Sequence, residues 1–301
     1  MTDGIARVAG IAAEQDGVVT AAQCVAAGMS REEIVQRCRT GHWRGVFRGA
    51  YYANGALAEV PLRARIRAAL LTLGPASVAT LTSAAHVHAL PSVPDDGAVH
   101  VCVPAALRRL DQPGLVVRQL VLTHADRLEV DGLRVTTMPR TLADLVLRLR
   151  RYDAVAMLDG ALFQRKISPD ELPLVGSLVR GRRGAVRARR RLAEADGRSA
   201  SPLETRIRLI CLDAGLRPEG VQYPILDENG HLLAVGDLAW PSRKLIVEGT
   251  GRWCTTRRRP STTIGTARTS WPPGAGRSSG SRGRMSAGQG TSSRPSAALW
   301  P

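Results

Sequence analysis

Apolar residues recur at helical spacing near the N-terminus, which predicts a helix over 5–15. Two capping boxes, in which a Thr or Ser is followed three residues later by Gln or Glu, mark the starts of two further helices: Thr20 with Gln23, and Ser30 with Glu33. We therefore expect helices over 21–27 and 31–40, and aromatic residues around two glycines predict a β-hairpin over 42–52. This order predicts a winged helix-turn-helix in residues 1–55.

The next segment, 56–195, alternates between amphipathic helices and apolar strands, which predicts a mixed α/β domain. The expected helices cover 61–73, 80–90, 139–149, 151–164 and 168–179, and the expected strands cover 97–104, 114–122 and 133–138. The end of the segment and the linker after it, 180–201, are rich in arginine. This basic helix could lie along a phosphate backbone, or it could be a solvated helix between domains.

A third domain is predicted over 196–248. A capped amphipathic helix comes first, with four apolar residues expected to face inward: Leu203, Ile207, Ile210 and Cys211. A strand, an Asn-Gly turn and two more strands follow. Glu204, Asp237 and Glu248 fall on the helix and on successive strands, and clustered carboxylates on a small sheet are how metal-dependent nucleases hold Mg²⁺.

The remaining segment, 249–301, contains no Asp, Glu or Lys, but it contains nine Arg and three Trp. It begins where the last predicted strand ends, which leaves the third domain truncated. This abrupt change of composition predicts a disordered tail produced by a frameshift in the gene. The alternative is a genuine low-complexity, arginine-rich tail that binds nucleic acid nonspecifically. The fold class expected for the whole chain is α+β.

Net charge points to a polyanionic partner, and nucleic acid is the first candidate. The formal charge is +16, of which the nine arginines of 249–301 contribute +9 and the first 248 residues +7. The five cysteines show no CxxC spacing, which favours a reducing compartment. No signal peptide and no membrane span are evident, so we expect a cytoplasmic protein without a membrane partner.

The predicted second helix of the helix-turn-helix, 31–40, is the expected recognition helix. Its candidate base-contacting residues are Arg31, Gln36, Arg37 and Arg39, and candidate phosphate contacts on the hairpin are Arg44 and Arg48. Arginine and glutamine can form paired hydrogen bonds with base edges. The alternative is that this small unit packs against a neighbour and that its charges are only solvated.

Two polar groups in the middle domain are better explained by structural than by catalytic roles. His86 and His88 would point to different faces of a helix and have no Cys or carboxylate at metal-ligand spacing, so core or capping roles are expected. Arg140, Thr141 and Asp144 share a helix start, where a cap and a salt bridge are expected.

The sequence "GVVTAAQCVAAGMSREEIVQRCRTGHWRGVFRGAYY" resembles the N-terminal winged-helix domain of AbiEi-type antitoxins of bacterial type IV toxin–antitoxin systems. The stretch "SAAHVHAL…LRVTTMPRTLADL" resembles the second domain of the same group, thought to contact a partner or toxin. The resemblance implies promoter binding, repression of the protein's own operon and a cognate toxin.

The segment "DLAWPSRKLIVE" is similar to the Vsr-like endonuclease domain of unknown function, within the restriction-endonuclease PD-(D/E)xK fold. By this resemblance Glu204, Asp237 and Glu248 occupy the acidic positions, and Asp237 and Glu248 would bind Mg²⁺ if the domain were functional. The chain departs from the pattern directly after Glu248, where the expected "DG", the downstream His and the closing strand and helix are missing. These acids are therefore interpreted as vestigial.

The sequence is compatible with two specific functions. The first is a DNA-binding antitoxin and transcriptional autoregulator with a degenerate nuclease-like domain, which needs no cofactor. The second is a Mg²⁺-dependent DNA endonuclease that the winged helix directs to DNA. Since the nuclease-like domain is incomplete, we expect no cleavage. A decayed product without function is a third, less specific possibility.

Overall fold

The computed structural model describes residues 2–55, 59–107, 111–227 and 229–249. In these ranges the chain forms ten α-helices and three β-sheets, which confirms the predicted α+β class. None of these helices is long and apolar enough to cross a membrane. The tail predicted over 249–301 lies, apart from its first residue, outside the described residues, so its disorder and frameshift stay predictions.

The N-terminal unit contains three helices and a three-stranded antiparallel sheet. Its elements are α1 (Thr2–Glu14), β1 (Val18–Thr20), α2 (Ala21–Ala26), α3 (Arg31–Arg39), β2 (Arg44–Phe47) and β3 (Ala50–Tyr52). Both predicted capping boxes form, and β2 and β3 form the predicted hairpin. The sequence did not predict β1, which pairs with β3 and gives the strand order β1-β3-β2.

The middle of the chain contains a mixed five-stranded sheet and two helices packed on it. The elements are α4 (Leu62–Leu73), β4 (Val78–Ala79), α5 (Leu81–Val87), β5 (Val99–Cys102), β6 (Leu115–Arg118), β7 (Arg127–Val130) and β8 (Leu133–Thr136). The strand order is β6-β5-β4-β8-β7. The predicted strands are present, but β4 and β7 were missed because β4 has two residues and most of β7 is exposed, so neither has a clear apolar pattern.

Helix α4 joins this sheet to the N-terminal unit. Ile66 and Leu70 of α4 belong to one hydrophobic core that includes Phe47 and Tyr52 of the N-terminal sheet and Val101 of β5. Polar contacts add to this core, because Asp16 accepts hydrogen bonds at 2.8 Å from the Nε atoms of two α4 side chains, Arg63 and Arg67. Burial opposes ionisation of Asp16, but these two guanidinium groups hold its pKa below the ordinary value. The N-terminal unit is therefore packed directly on the middle of the chain.

Four further helices form a second core beside the five-stranded sheet. They are α6 (Met138–Val146), α7 (Arg151–Phe163), α8 (Leu172–Leu178) and α9 (Ala185–Glu194). The core contains Leu142, Met157 and Val175, and the buried side chain of Ala188 seats α9 against it. The helix predicted within 180–201 is thus α9, and one of its faces is buried.

The C-terminal unit consists of one helix and an antiparallel sheet. Its elements are α10 (Pro202–Asp213), β9 (Gly220–Leu226), β10 (Leu232–Trp240) and β11 (Leu245–Val247), in the strand order β11-β10-β9. The predicted inward position of Ile210 is wrong, since its side chain is 50% exposed, whereas Leu209 is fully buried. The reason is that α10 packs on α7 as well as on its own sheet, so its buried surface covers two sides of the helix.

Candidate functional site

Helix α3 presents an exposed surface that we call the α3 face, formed by Arg31, Val35, Gln36 and Arg39. Residues four apart lie above one another on a helix, so Arg31, Val35 and Arg39 form one row and Gln36 lies beside it. The opposite side of α3 is held in the core by Ile34. Val35 is 55% exposed at the centre of the row. The α3 face therefore combines side chains that can form paired hydrogen bonds with one apolar contact, and it also includes the exposed carboxylate of Glu32, one turn before Gln36.

The fourth predicted recognition residue, Arg37, lies elsewhere. It is half-buried, and its guanidinium carbon lies 5.8 Å from the centre of the Trp43 ring. It also lines a cavity of about 450 Å³ between α1 and the end of the hairpin. Successive residues are about 100° apart around a helix, which places position 37 well away from the row formed by Arg31, Val35 and Arg39. Arg37 thus supports the packing behind α3.

The two predicted hairpin arginines are both exposed, Arg44 at the start of β2 and Arg48 in the turn after it. The backbone N–H of Arg48 donates to the Gln112 side-chain oxygen at 2.7 Å. This bond ties the hairpin turn to the middle of the chain. The orientation of the hairpin relative to α4 and the five-stranded sheet is fixed by this contact and by the shared core.

A second candidate site lies where α10 meets the C-terminal sheet. Gln222 of β9 donates from its amide nitrogen to Glu204 at 2.9 Å and to Asp237 at 3.3 Å. The structure therefore brings together two of the three predicted acids, which we call the carboxylate pair. The sequence did not identify Gln222, because the contact joins residues from three separate elements. Its backbone φ of +51° is uncommon for a residue with a side chain, and such strain is concentrated at functional sites.

All four oxygens of the carboxylate pair already accept hydrogen bonds. Glu204 accepts from the Ser201 hydroxyl at 2.7 Å and from the Ala200 N–H at 2.9 Å, in addition to Gln222. The second oxygen of Asp237, Oδ2, accepts a hydrogen bond from the Gly249 N–H at 2.6 Å. Glu204 is thus part of the N-terminal cap of α10, which is a structural role.

The third predicted acid, Glu248, lies beside the carboxylate pair in the sheet, because Val247 pairs with Leu238 and the Gly249 N–H donates to Asp237. It is exposed and follows the last residue of β11. Among the described residues no group of three or more His, Cys, Asp or Glu side chains is placed to hold a metal ion. Only two of the three predicted acids share a hydrogen-bond partner, and N–H and O–H donors hold both, so the described side chains do not form the three-acid cluster that the sequence predicted for Mg²⁺.

His88 and the Arg140–Asp144 pair have the structural roles that the sequence predicted, whereas His86 is exposed and the N-cap residue of α6, Thr137, makes no side-chain capping bond. His88 donates from Nε2 to the Thr136 carbonyl at 2.7 Å, and burial lowers its pKa although this bond opposes the shift. Arg140 pairs at 3.1 Å with both Asp126 and Asp144. Two free cysteines in the described ranges, Cys24 and Cys102, are buried, and burial raises the pKa of both, that of Cys24 to about 11, which disfavours the thiolate at neutral pH.

No family model matches the chain. Two proteins from strains of Mycobacterium tuberculosis, described as uncharacterized proteins MT2308 and Rv2248, are each 33% identical to it over 220 residues. The matched region covers 73% of this chain and 78% of each relative. The chain therefore belongs to the family of these mycobacterial proteins.

The solved structures that match include the crystal structure of RV2827C protein from Mycobacterium tuberculosis. It is 18% identical, and the match covers 64% of this chain and 82% of that chain with a TM-score of 0.41.

Proposed function

We propose that this chain is a DNA-binding autoregulator, the antitoxin of a type IV toxin–antitoxin-like system, with a degenerate nuclease-like C-terminal unit. The observation that supports DNA binding is the α3 face, where Arg31, Gln36 and Arg39 are exposed in one area while the other side of the helix is buried. The proposal places the protein in the bacterial cytoplasm, where it would meet promoter DNA and a cognate toxin.

The proposed contact places α3 in the major groove of DNA, with the N-terminal unit as a winged helix. Arg31, Arg39 and Gln36 can each pair with two atoms of a base edge, and Val35 can contact a thymine methyl group. Arg44 and Arg48 on the hairpin would contact phosphates, as sequence-independent anchors. The bond between Arg48 and Gln112 supports this role because it holds the hairpin turn in one place.

The antitoxin assignment rests on the resemblance of residues 17–52 to AbiEi-type winged helices. Autoregulation follows from that resemblance, since an antitoxin of this kind binds the promoter of its own operon. The oxygens of the carboxylate pair accept hydrogen bonds from neighbouring backbone and side-chain groups. This is consistent with a structural rather than a catalytic role for the C-terminal unit.

We expect that Arg31→Ala and Arg39→Ala each weaken binding to DNA from the region upstream of the gene. Each change removes a paired base contact, so each is expected to cost about 1–3 kcal/mol of binding free energy. Fluorescence anisotropy with labelled upstream DNA would measure this loss. Arg165→Ala, an exposed arginine after α7, is the matched control and should leave the affinity unchanged.

Arg37→Ala separates recognition from packing. Since Arg37 lies over Trp43, its removal should lower the stability of the N-terminal unit by about 0.5–1 kcal/mol. Equal affinities for wild type, Arg31→Ala and Arg39→Ala would show that α3 is not the recognition helix.

The endonuclease remains the second candidate because Glu204 and Asp237 do meet at one side chain. This function requires Mg²⁺-dependent nicking of plasmid DNA that disappears in Asp237→Ala and in Glu248→Ala. Because no three acids among the described residues are placed to hold a metal ion, we expect no nicking by the wild-type chain. Nicking that both substitutions abolish would replace the antitoxin proposal with the nuclease.

A further inference from the structure

The arginine-rich helix α9 has two distinct sides. On the inner side Ala188 is fully buried, Leu192 packs against the helical core and Arg191 donates to the Val146 carbonyl. Just before the helix, Arg182 binds the buried carboxylate of Asp144. These contacts fix α9 against α6, so the helix is a rigid support for whatever its outer side presents.

The outer side is a basic surface that we call the α9 face, formed by Arg183, Arg187, Arg189 and Arg190. Arg187 and Arg190 lie one turn apart on α9, Arg189 lies beside them, and Arg183 lies in the turn before the helix. None of the four forms an ion pair with a carboxylate in the described part of the chain. The acid at the end of the helix, Glu194, is occupied by Arg151 at 2.9 Å.

Like charges lie close together on α9, where Arg187 of the α9 face is near Arg191 of the inner side. Burial lowers the pKa of Arg191, and the positive charge of Arg187 lowers it further. An anion placed against the α9 face would relieve this repulsion. Guanidinium groups suit phosphate oxygens in particular, because their planar donors can bind two oxygens at once.

We infer that the α9 face is a second DNA-binding surface, which contacts the phosphate backbone independently of base sequence. The inference rests on the proposed DNA-binding function and extends it to a part of the chain far in sequence from α3. A group of arginines without acids matches a linear polyanion, and a helix alongside a duplex can bring successive side chains to successive phosphates. A membrane surface fits less well, since the apolar residues Ala188 and Leu192 face inward and leave only Val186 exposed for lipid.

The test compares two triple variants of the full chain with equal loss of charge. The first changes the α9 face, Arg183→Gln, Arg187→Gln and Arg190→Gln. The matched control changes exposed arginines on other elements, Arg165→Gln, Arg217→Gln and Arg243→Gln. The probe is a fluorescein-labelled random-sequence duplex of about three helical turns, titrated between about 50 and 200 mM salt.

The α9 variant should lose at least about tenfold in affinity for this duplex at the middle of the salt range. The slope of log K against log salt should fall by about 2–3, since each lost phosphate contact contributes about 0.9. The control triple should differ from wild type by about twofold or less in affinity and keep its salt slope. Circular dichroism should show both variants folded, because all six side chains are exposed.

Several outcomes would overturn the inference, and they are distinguishable from failure of the proposed function. If wild type binds DNA and the two triples behave alike, the α9 face is not a DNA surface, while the α3 proposal stands. If the α9 triple loses binding to phosphatidylserine vesicles but keeps its DNA affinity, the surface serves a membrane. If wild type binds neither the random duplex nor upstream DNA, both proposals fail together.

Discussion

Asp159→Ala is expected to lower the free energy of unfolding by about 3–5 kcal/mol. Asp159 of α7 is 1% exposed and accepts bonds from the Arg208 guanidinium and the Thr205 hydroxyl, both at 2.7 Å, and from the Asp196 N–H at 2.6 Å. Arginine keeps its charge at any ordinary pH, so the substitution would leave Arg208 buried without its carboxylate. Urea denaturation would measure the effect as a lower midpoint.

Two comparisons isolate the ion pair. Asp170→Ala removes an exposed carboxylate and should change stability by no more than about 0.5 kcal/mol. The double variant Asp159→Leu with Arg208→Met removes both charges, and it should be more stable than Asp159→Ala. A loss of less than about 1 kcal/mol in Asp159→Ala would mean that the charge of Arg208 is satisfied without Asp159.

Gln222→Glu is expected to destabilise the C-terminal unit by about 2–4 kcal/mol at pH 7. The change replaces the amide that donates to both Glu204 and Asp237 with a third carboxylate, and like charges at such distances repel by this order in a partly buried site. The loss should disappear below about pH 4, where carboxyl groups become protonated. Urea titrations at several pH values would follow it.

The control for this substitution is Gln164→Glu, at the exposed C-terminal cap of α7. It adds the same charge without nearby carboxylates and should cost at most about 0.5–1 kcal/mol, from the unfavourable helix dipole. If Gln222→Glu were no worse than this control, the carboxylate pair would not be held by Gln222. Recovery of stability on adding Mg²⁺ would show that the introduced acid completes a cation site.

The sequence predicted best what depends on neighbouring residues. Both capping boxes formed as expected, because each needs only two side chains three residues apart at a helix start. The hairpin over β2 and β3 was also evident from its aromatic residues and glycines. Periodicity alone identified most helices, since each has at least one buried apolar stripe.

Contacts between distant elements could not be predicted in this way. The position of Arg37 depends on Trp43, and the burial of Leu209 rather than Ile210 depends on α7, which lies about fifty residues earlier. Gln222 looked like an ordinary strand residue until α10 and β10 brought Glu204 and Asp237 to it. Of the candidate DNA contacts on α3, the sequence did not distinguish Arg37 from the others, and only the fold shows that Arg39 is exposed whereas Arg37 is half-buried.

The core shared through α4 has a consequence for how the chain could search DNA. Phe47 and Tyr52 of the hairpin pack in the same core as Ile66 and Val101, so the N-terminal unit is not a module on a flexible tether. A DNA-binding unit on a flexible tether can approach sites at many angles. A unit packed against the rest of the chain would meet the duplex in one orientation. If α3 binds DNA as proposed, a second contact on the rest of the chain, with DNA backbone or with a protein partner, would fix the orientation in which α3 meets the duplex.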